Sequence, residues 1–327
     1  MNFKNKLLKF FVLLLFIIPI NTLAYSSYII PGGQTIGIEV NSKGVLVVGF
    51  YKVDNRFIGR DAGFAVGDSI LKVNNNDVDN IESMIDKINS LDTNNVEFTI
   101  SRNNNQKKIN LTLEKDDTGV LKTGLYVKDQ INGVGTLTYI DPETNIFGAL
   151  GHEILESTTA EKFEIKDGKI FDATVTGITK SRSGSAGEKN ATYDKSNVFG
   201  TIKNNDITGI FGKYTEVYNK ENVLEVGSSD NVRTGKASIR TVIKNNEVQD
   251  FEINIIRLDD NSKTKNILFE ITDENLLNET GGVIQGMSGS PIIQDNKIIG
   301  AVNYVIVNDT TKGYGIFITT MLKEGEK

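Results

Sequence analysis

The chain has 327 residues, room for about two domains of ordinary size, and its 39% apolar and 24% charged residues exclude a wholly disordered or fibrous protein. Its 36 basic and 42 acidic side chains give a net charge of −6, so no nucleic-acid partner is expected. The absence of cysteine excludes disulfides and a cysteine nucleophile, and a single histidine excludes a multi-histidine metal site. The sequence therefore predicts no metal and no cofactor.

The N-terminus has the pattern of an export signal. Three lysines within the first nine residues precede an almost wholly apolar run from Phe10 to Ile20, and a small-residue site follows at Thr22–Ala24. Such an apolar run partitions into the bilayer while the lysines stay in the cytoplasm. The sequence predicts that residues 1–24 are a signal peptide or a retained membrane anchor, with the rest of the chain exported.

Residues 28–115 alternate strand and turn signals and predict one small domain. Val96–Ile100 and Ile109–Leu113 alternate apolar and polar side chains, as half-buried strands do, and the asparagines between them predict a turn. After Asn80, a residue favoured at helix N-termini, apolar residues recur at helical spacing and predict a helix that faces the core.

This region resembles a PDZ domain. Ala62–Asn74 (AGFAVGDSILKVN) is similar to that family's AGL-VGD-IL-IN segment, and Ile36, Gly37 and Ile38 are similar to its carboxylate-binding loop. A PDZ domain binds an extended peptide as an added strand. The resemblance implies that these three residues bind a peptide C-terminus or an internal peptide; the alternative is that they only turn the chain near the start of the domain.

Asp116–Gly119 predicts a domain boundary, and residues 120–325 carry a different pattern. From Gly124 onward, short apolar runs are separated by glycine and asparagine turns, and long amphipathic helices are scarce. Many short strands over about 200 residues predict an antiparallel barrel or a pair of barrels. The expected fold class is mostly β.

The segment Gly286–Ile292 (GMSGSPI) resembles the Gly-x-Ser-Gly-x-Pro nucleophile loop of chymotrypsin-like serine peptidases. Small residues around Ser288 let the backbone turn tightly, so that the amides of Gly286 and Ser288 form an oxyanion hole. Ser290, two positions further on, is a less favoured rival nucleophile.

A serine nucleophile needs a neighbouring base, and His152 is the only histidine. The acid that would orient its imidazole is less certain from spacing. Asp273 gives the chain order His, Asp, Ser, and Glu156 is a rival on the histidine loop. Asp273 is equally compatible with an N-cap of a short helix that begins at Glu274.

The region 28–325 resembles the stage IV sporulation protein B family, membrane-associated PDZ–serine peptidases. The resemblance implies that His152 is the base, Asp273 the orienting acid and Ser288 the nucleophile, on a chymotrypsin-like double β-barrel. Two departures stand out, since Asn303–Tyr304 replaces a frequent Thr-His and Glu156 replaces a frequent Asp. The matching segments are Ile30–Gly37, Lys43–Gly49, Gly124–Asp129, Phe147–His152, Gly209–Gly212, Thr280–Pro291 and Val307–Ile316.

The family resemblance implies an exported serine endopeptidase that acts between the two membranes of the developing spore. It would cleave itself and then a membrane-bound regulator of an intramembrane protease, which releases a late sigma factor. Two alternatives stay open: a catalytically inert PDZ scaffold and an envelope quality-control protease. Proteases of the latter kind usually place the peptidase before the PDZ domain, the reverse of the order here.

Overall fold

The computed structural model describes residues 25–116 and 118–327, so the predicted signal or anchor over residues 1–24 lies outside the described residues. None of the helices in this part of the chain has the length and apolar character that a membrane crossing needs. The helices are α1 (Ile58–Asp61), α2 (Ile81–Asn89), α3 (Glu274–Thr280) and α4 (Ile318–Gly325).

Most of the described chain is β-structure, as predicted. The strands are β1 (Tyr28–Pro31), β2 (Thr35–Phe50), β3 (Ser69–Val73), β4 (Asn76–Asp77), β5 (Asn95–Arg102), β6 (Asn105–Thr112), β7 (Glu114–Lys115), β8 (Leu121–Lys122), β9 (Leu125–Ile140), β10 (Ile146–Ala149), β11 (Ile165–Thr179), β12 (Glu188–Asp206), β13 (Gly209–Tyr214), β14 (Leu224–Val226), β15 (Gly235–Val242), β16 (Val248–Leu258), β17 (Ile267–Ile271), β18 (Pro291–Gln294), β19 (Lys297–Val305) and β20 (Lys312–Phe317).

Two barrels form the larger part of the molecule, and they have the same strand connectivity. In the first barrel the antiparallel ring runs β2, β9, β10, β13, β12, β11 and back to β2. In the second barrel it runs β15, β16, β17, β20, β19, β18 and back to β15. Each ring pairs its first strand with its second and fourth, and its third with its sixth, which is the repeated arrangement of a double β-barrel and confirms that prediction.

The two barrels have separate cores and a shared one. Isoleucines, phenylalanines and valines fill each interior. Helix α4 contributes Ile318 and Met321 to a third cluster, where they meet Tyr139 of the first barrel and Ile298 of the second. Because the side chains of this cluster are buried and come from both barrels, their packing fixes the position of one barrel against the other.

The small domain is inserted into the first barrel rather than preceding it. Strands β2 and β9 pair inside the barrel and continue beyond it as a two-stranded connection, Leu46–Phe50 against Leu125–Lys128. Residues 44–124, the inserted domain, lie between them. Gly44 has a φ of 80°, and a Cβ there would be 2.2 Å from the Ile70 carbonyl oxygen, so the bend in β2 requires glycine. The predicted boundary at 28 is thus wrong, since β1 and the first half of β2 belong to the barrel.

Within the inserted domain the local predictions hold. Helix α2 begins after Asn80, whose side chain accepts a hydrogen bond from the amide of Ser83 at 2.8 Å. Asn103 and Asn104 join β5 to β6 with φ angles of 51° and 61°, the left-handed pair of a tight hairpin turn.

Asp68, in the segment that resembles the PDZ motif, is fully buried and ion-paired. Both of its carboxylate oxygens accept hydrogen bonds from Arg102, at 2.6 and 2.7 Å, and one also accepts from the amide of Ala65. This two-pronged contact ties the loop before β3 to the end of β5.

Replacing Arg102 by methionine is expected to lower the free energy of unfolding of the inserted domain by about 3 kcal/mol, because Asp68 stays buried without a cationic partner. Urea denaturation followed by circular dichroism measures the change. The exposed pair Lys72–Asp77 provides the control, since Lys72→Met should alter stability by less than about 1 kcal/mol. Equal losses for the two variants would contradict the structural role of Asp68.

Candidate active site

A cleft of about 650 Å³ lies between the two barrels and takes residues from both. His152 enters it from the first barrel and Ser288 from the second. Its walls are mainly apolar, formed by Ile38, Ile131, Val134, Leu150, Ile154, Leu155, Val283, Ile284, Val302, Tyr304, Val305 and Val307.

His152 follows β10 on a tight turn. Leu150 and Gly151 both have φ of 70°, and a left-handed conformation is uncommon for a residue with a branched side chain such as leucine. Gly151 lies so close to β19 that a Cβ would be 3.2 Å from the Val302 carbonyl oxygen. The turn therefore brings the imidazole against the second barrel.

The nucleophile loop, which we call the oxyanion loop (residues 285–289), connects α3 to β18. Gly289 has a φ of 94°, and a Cβ there would be 2.1 Å from the Thr136 carbonyl oxygen and 2.5 Å from the Leu150 nitrogen. Only glycine fits, so the Gly-x-Ser-Gly motif is explained by backbone-to-backbone packing of the serine loop on the histidine turn.

His152 and Ser288 contact consecutive residues of β19. The imidazole stacks on Tyr304 with ring centres 5.4 Å apart, and the Ser288 hydroxyl donates to the Asn303 carbonyl at 3.2 Å. Within the part of the chain that the structure describes, no hydrogen bond joins Ser288 to His152. A rotation of the serine side chain is needed to direct its hydroxyl to the imidazole, and such contacts commonly tighten only when substrate binds.

The imidazole has the tautomer that a base needs. Nδ1 lies 2.8 Å from the backbone carbonyl oxygen of Glu153, and because a carbonyl only accepts, Nδ1 carries the proton and Nε2 is free. Burial lowers the pKa of His152 below its usual 6.5, while the hydrogen bond to Glu153 and the charge of the Glu153 carboxylate act in the opposite direction. One carboxylate oxygen of Glu153 is itself buried and has no hydrogen-bond partner among the described residues.

The surroundings of the Gly286 and Ser288 amides suit the oxyanion hole that the sequence predicts. Neither the Gly286 nor the Ser288 amide donates a hydrogen bond to any residue that the structure describes. The carbonyls of the loop are held from behind by β9: the Thr136 hydroxyl donates to Gly286 at 2.7 Å, the Thr136 amide to Ser288 at 3.0 Å, and the Thr138 hydroxyl to Gly289 at 2.8 Å. With its carbonyls engaged, the loop keeps two amide donors unpaired.

Asp273 is not brought to the imidazole. Its carboxylate accepts from the Leu276 amide at 2.9 Å as the N-cap of α3, and it does not line the cleft. The position beside Nδ1 that the orienting acid would occupy is taken by the Glu153 carbonyl. The N-cap interpretation of Asp273 is confirmed, and the triad role has no supporting contact.

Glu156, the alternative acid, and Ser290, the alternative nucleophile, are both buried. Glu156 is buried and pairs with Lys128 at 2.6 Å; burial opposes its ionisation, but hydrogen bonds from Lys128, Thr159 and Thr158 outweigh burial and lower its pKa to about 2. Ser290 is fully buried, with a hydroxyl that has no partner among the described residues and does not reach the cleft.

The predicted peptide-binding residues lie in the first barrel. Ile36, Gly37 and Ile38 lie near the start of β2, where the strand pairs with β9 on one edge and with β11 on the other. A peptide cannot be added as a strand to a strand whose edges are both occupied, so this prediction is wrong. Of the three, only Ile38 lines a cleft, the one that holds His152 and Ser288.

Several site residues were not foreseen in the sequence. Thr136 and Lys189 stand in ordinary strand segments, and no motif distinguishes them. Glu153 is the histidine's neighbour in sequence, but only the fold shows that its carbonyl contacts Nδ1 and that Tyr304 stacks on the imidazole. Among the described residues, no group of three or more histidine, aspartate and glutamate side chains is placed to hold a metal ion.

Two six-stranded barrels of equal connectivity, with a histidine and a serine facing one cleft between them, define a serine peptidase of the chymotrypsin-like class. The sequence profile of the SpoIVB peptidase S55 family matches residues 119–322, and the chain belongs to this family. The predicted family and the predicted enzyme class are thereby confirmed.

Solved structures give more distant likenesses. The PDZ domain of an SdrC-like protein from Listeria monocytogenes is 21% identical, with a TM-score of 0.23, over 27% of this chain and 90% of that one. The active form of the Rv3671c protease from M. tuberculosis is 16% identical, with a TM-score of 0.31, over 57% of this chain and 70% of that one. Its inactive form is 13% identical, again with a TM-score of 0.31, over 57% and 80%. Among curated proteins, none matches this chain.

Replacement of Asp273 separates its two interpretations. Asn is as good an N-cap as Asp, so Asp273→Asn should lower kcat by less than about tenfold, while Asp273→Ala should cost about 1 kcal/mol of stability. A triad acid would instead lose about 10⁴-fold in kcat on change to Asn. Steady-state kinetics together with thermal unfolding measure both. A loss of that size in a fully stable Asp273→Asn protein would restore Asp273 to the catalytic group.

Proposed function

We propose that this chain is an exported serine endopeptidase of endospore formation, which processes itself and cleaves a membrane-bound regulator of an intramembrane protease. Membership of the SpoIVB peptidase S55 family supports this role. The cleft that holds both His152 and Ser288 is the observation that carries the chemistry. The place of action is the space between the two membranes of the developing spore, reached through the N-terminal segment.

In the proposed reaction, the Ser288 hydroxyl attacks a peptide carbonyl carbon while Nε2 of His152 takes its proton. The carbonyl oxygen becomes an oxyanion, which the amides of Gly286 and Ser288 stabilise. His152 then gives the proton to the leaving amine, and water hydrolyses the acyl-enzyme by the same steps in reverse order. The Glu153 carbonyl keeps Nδ1–H in place throughout.

The inserted domain supplies target recognition in this proposal. It has the AGF-VGD-IL-VN segment that resembles PDZ domains, and a PDZ domain binds extended peptides. The connection through β2 and β9 gives support, because these strands run without interruption from the inserted domain into the barrel that bears His152. The residues that contact the peptide differ from Ile36, Gly37 and Ile38.

Ser288 and Ser290 offer a matched pair of variants for the first test. Ser288→Ala should abolish self-processing of the full chain and labelling by a serine-directed phosphonate, because the attacking oxygen is lost. Ser290→Ala should retain both, since its hydroxyl is buried away from the cleft. Peptide mapping by mass spectrometry identifies the labelled serine. Label at Ser290, or processing by Ser288→Ala, would overturn the assignment.

The substrate class is tested with the same proteins. Selective cleavage of a membrane-bound regulator, with casein left intact, supports the signalling role. Broad digestion of casein would instead indicate envelope quality control. A parent protein that cleaves nothing and does not react with the phosphonate would indicate a scaffold.

The pH dependence of cleavage tests His152 as the base. Only the neutral imidazole accepts a proton, and its pKa lies below 6.5, so the acid limb of kcat/KM should lie below pH 6.5. The Glu153 carboxylate raises this pKa, so Glu153→Gln should move the acid limb to still lower pH while its backbone carbonyl stays in place. An acid limb that moves upward in Glu153→Gln would contradict the arrangement.

A further inference from the structure

Lys189 is a buried lysine without an anionic partner, directly behind the oxyanion loop. It is 5% exposed, and none of the ion pairs among the described residues includes it. Its backbone amide donates to the Gln285 carbonyl at 2.9 Å. Its aliphatic stem supports Gly286, where an added Cβ would lie 3.1–3.2 Å from three carbons of the lysine side chain. A buried, unpaired lysine is costly for a fold, so its presence calls for a physical reason.

The ammonium group is surrounded by three threonine hydroxyls from three strands. Nζ lies 2.9 Å from Thr241 Oγ1, 3.4 Å from Thr136 Oγ1 and 3.5 Å from Thr35 Oγ1. An ammonium has three protons to donate and cannot accept. The three hydroxyl oxygens therefore all act as acceptors, and each hydroxyl proton must be directed away from Nζ.

For Thr136 this requirement has a consequence at the active site. Its hydroxyl proton is directed to the Gly286 carbonyl at 2.7 Å. That carbonyl belongs to the residue whose amide is half of the oxyanion hole. If Nζ were neutral, its lone pair would accept a hydrogen bond from a hydroxyl, and Thr136 would then have an alternative acceptor to the Gly286 carbonyl.

We propose that Lys189, in its ammonium form, positions the oxyanion loop by holding Thr136 as the donor to the Gly286 carbonyl. Lys189 is a positioning residue, since it acts through Thr136 and does not touch the substrate. The effect rests on the proposed nucleophile Ser288, because the loop serves its oxyanion.

The titration of Lys189 falls near neutral pH. Burial lowers its pKa to about 7, so the ammonium is present below neutral pH and is lost as the pH rises through 7. No charged group among the described residues hydrogen-bonds to Nζ. The charged side chains on the strands packed around it are Glu39 and Lys43 on β2, Lys128 and Asp129 on β9, Lys166, Asp167, Lys169 and Asp172 on β11, Lys236 and Arg240 on β15, and Glu188, Asp194, Lys195, Lys203 and Asp206 on β12 itself.

The test is the rate of phosphonate labelling of Ser288 in the full chain, measured across neutral pH. For the parent we expect a bell-shaped dependence of the labelling rate on pH. The acid limb reflects His152, and the alkaline limb, near pH 7, reflects Lys189. Lys189→Met keeps the stem but removes the ammonium that fixes the rotation of the Thr136 hydroxyl, so the rate at the optimum should fall by about tenfold or more and the alkaline limb should disappear. Lys195→Met, the same change on the same strand at an exposed position, should keep the parental profile.

Variants of Thr136 provide the second part of the test. Thr136→Val should lose rate and the alkaline limb, Thr136→Ser should restore both, and the Lys189→Met/Thr136→Val double variant should be no slower than about the slower single variant. The Thr136 single variants also test the positioning role if Lys189→Met fails to fold.

The outcomes separate this proposal from the proposed function. A parent protein that the phosphonate does not label at Ser288 refutes the nucleophile. Two results would refute the positioning role alone, in a parent protein that is labelled at Ser288. One is an alkaline limb that persists in Lys189→Met; the other is a double variant in which the two single losses of rate multiply.

Discussion

The site depends on three hydrogen bonds by which one strand of the first barrel holds one loop of the second. Through Thr136 and Thr138, β9 engages the carbonyls of Gly286, Ser288 and Gly289. These contacts hold the loop backbone from the first barrel, while the buried Met287 side chain anchors the loop in the core of the second. The amides of Gly286 and Ser288 have no acceptor among the described residues, which is the condition for pre-organised stabilisation of an oxyanion.

The same strand explains why the inserted domain is placed where it is. Strand β9 begins in the inserted domain at Leu125, continues into the barrel, and reaches the oxyanion loop at Thr136. A domain joined by two paired strands, even with the register shift between Asn41 and Leu46, has far less freedom than one joined by a flexible linker. The inserted domain and the oxyanion loop are therefore parts of one β-framework, and the shared cluster around α4 holds the two barrels together behind it.

Much of this organisation could be predicted because its signals are local. The asparagine turns, the Asn80 cap and the glycines around Ser288 each reflect a backbone constraint within a few residues. The insertion could not be predicted in the same way, since Ile36–Ile38 has the same pattern in a barrel strand as in a peptide-binding loop, and only pairing with β11 decides between them. Lys189 was missed because lysine is almost always exposed, and nothing near it in sequence indicates burial among threonines from distant strands.

The contacts of His152 raise the question of what replaces the carboxylate of a serine-peptidase triad. A carbonyl can fix the tautomer as well as a carboxylate can, because both only accept; it provides less stabilisation for the imidazolium that forms when Ser288 is deprotonated. The Glu153 side chain compensates in part, since its charge raises the pKa of the same ring and one of its oxygens is buried without a partner in the described part of the chain. Glu153 thus orients the imidazole through its backbone carbonyl and supports it electrostatically through its side chain, two tasks that a single aspartate performs in the triad. Asp273 remains free to cap the helix that leads to the nucleophile.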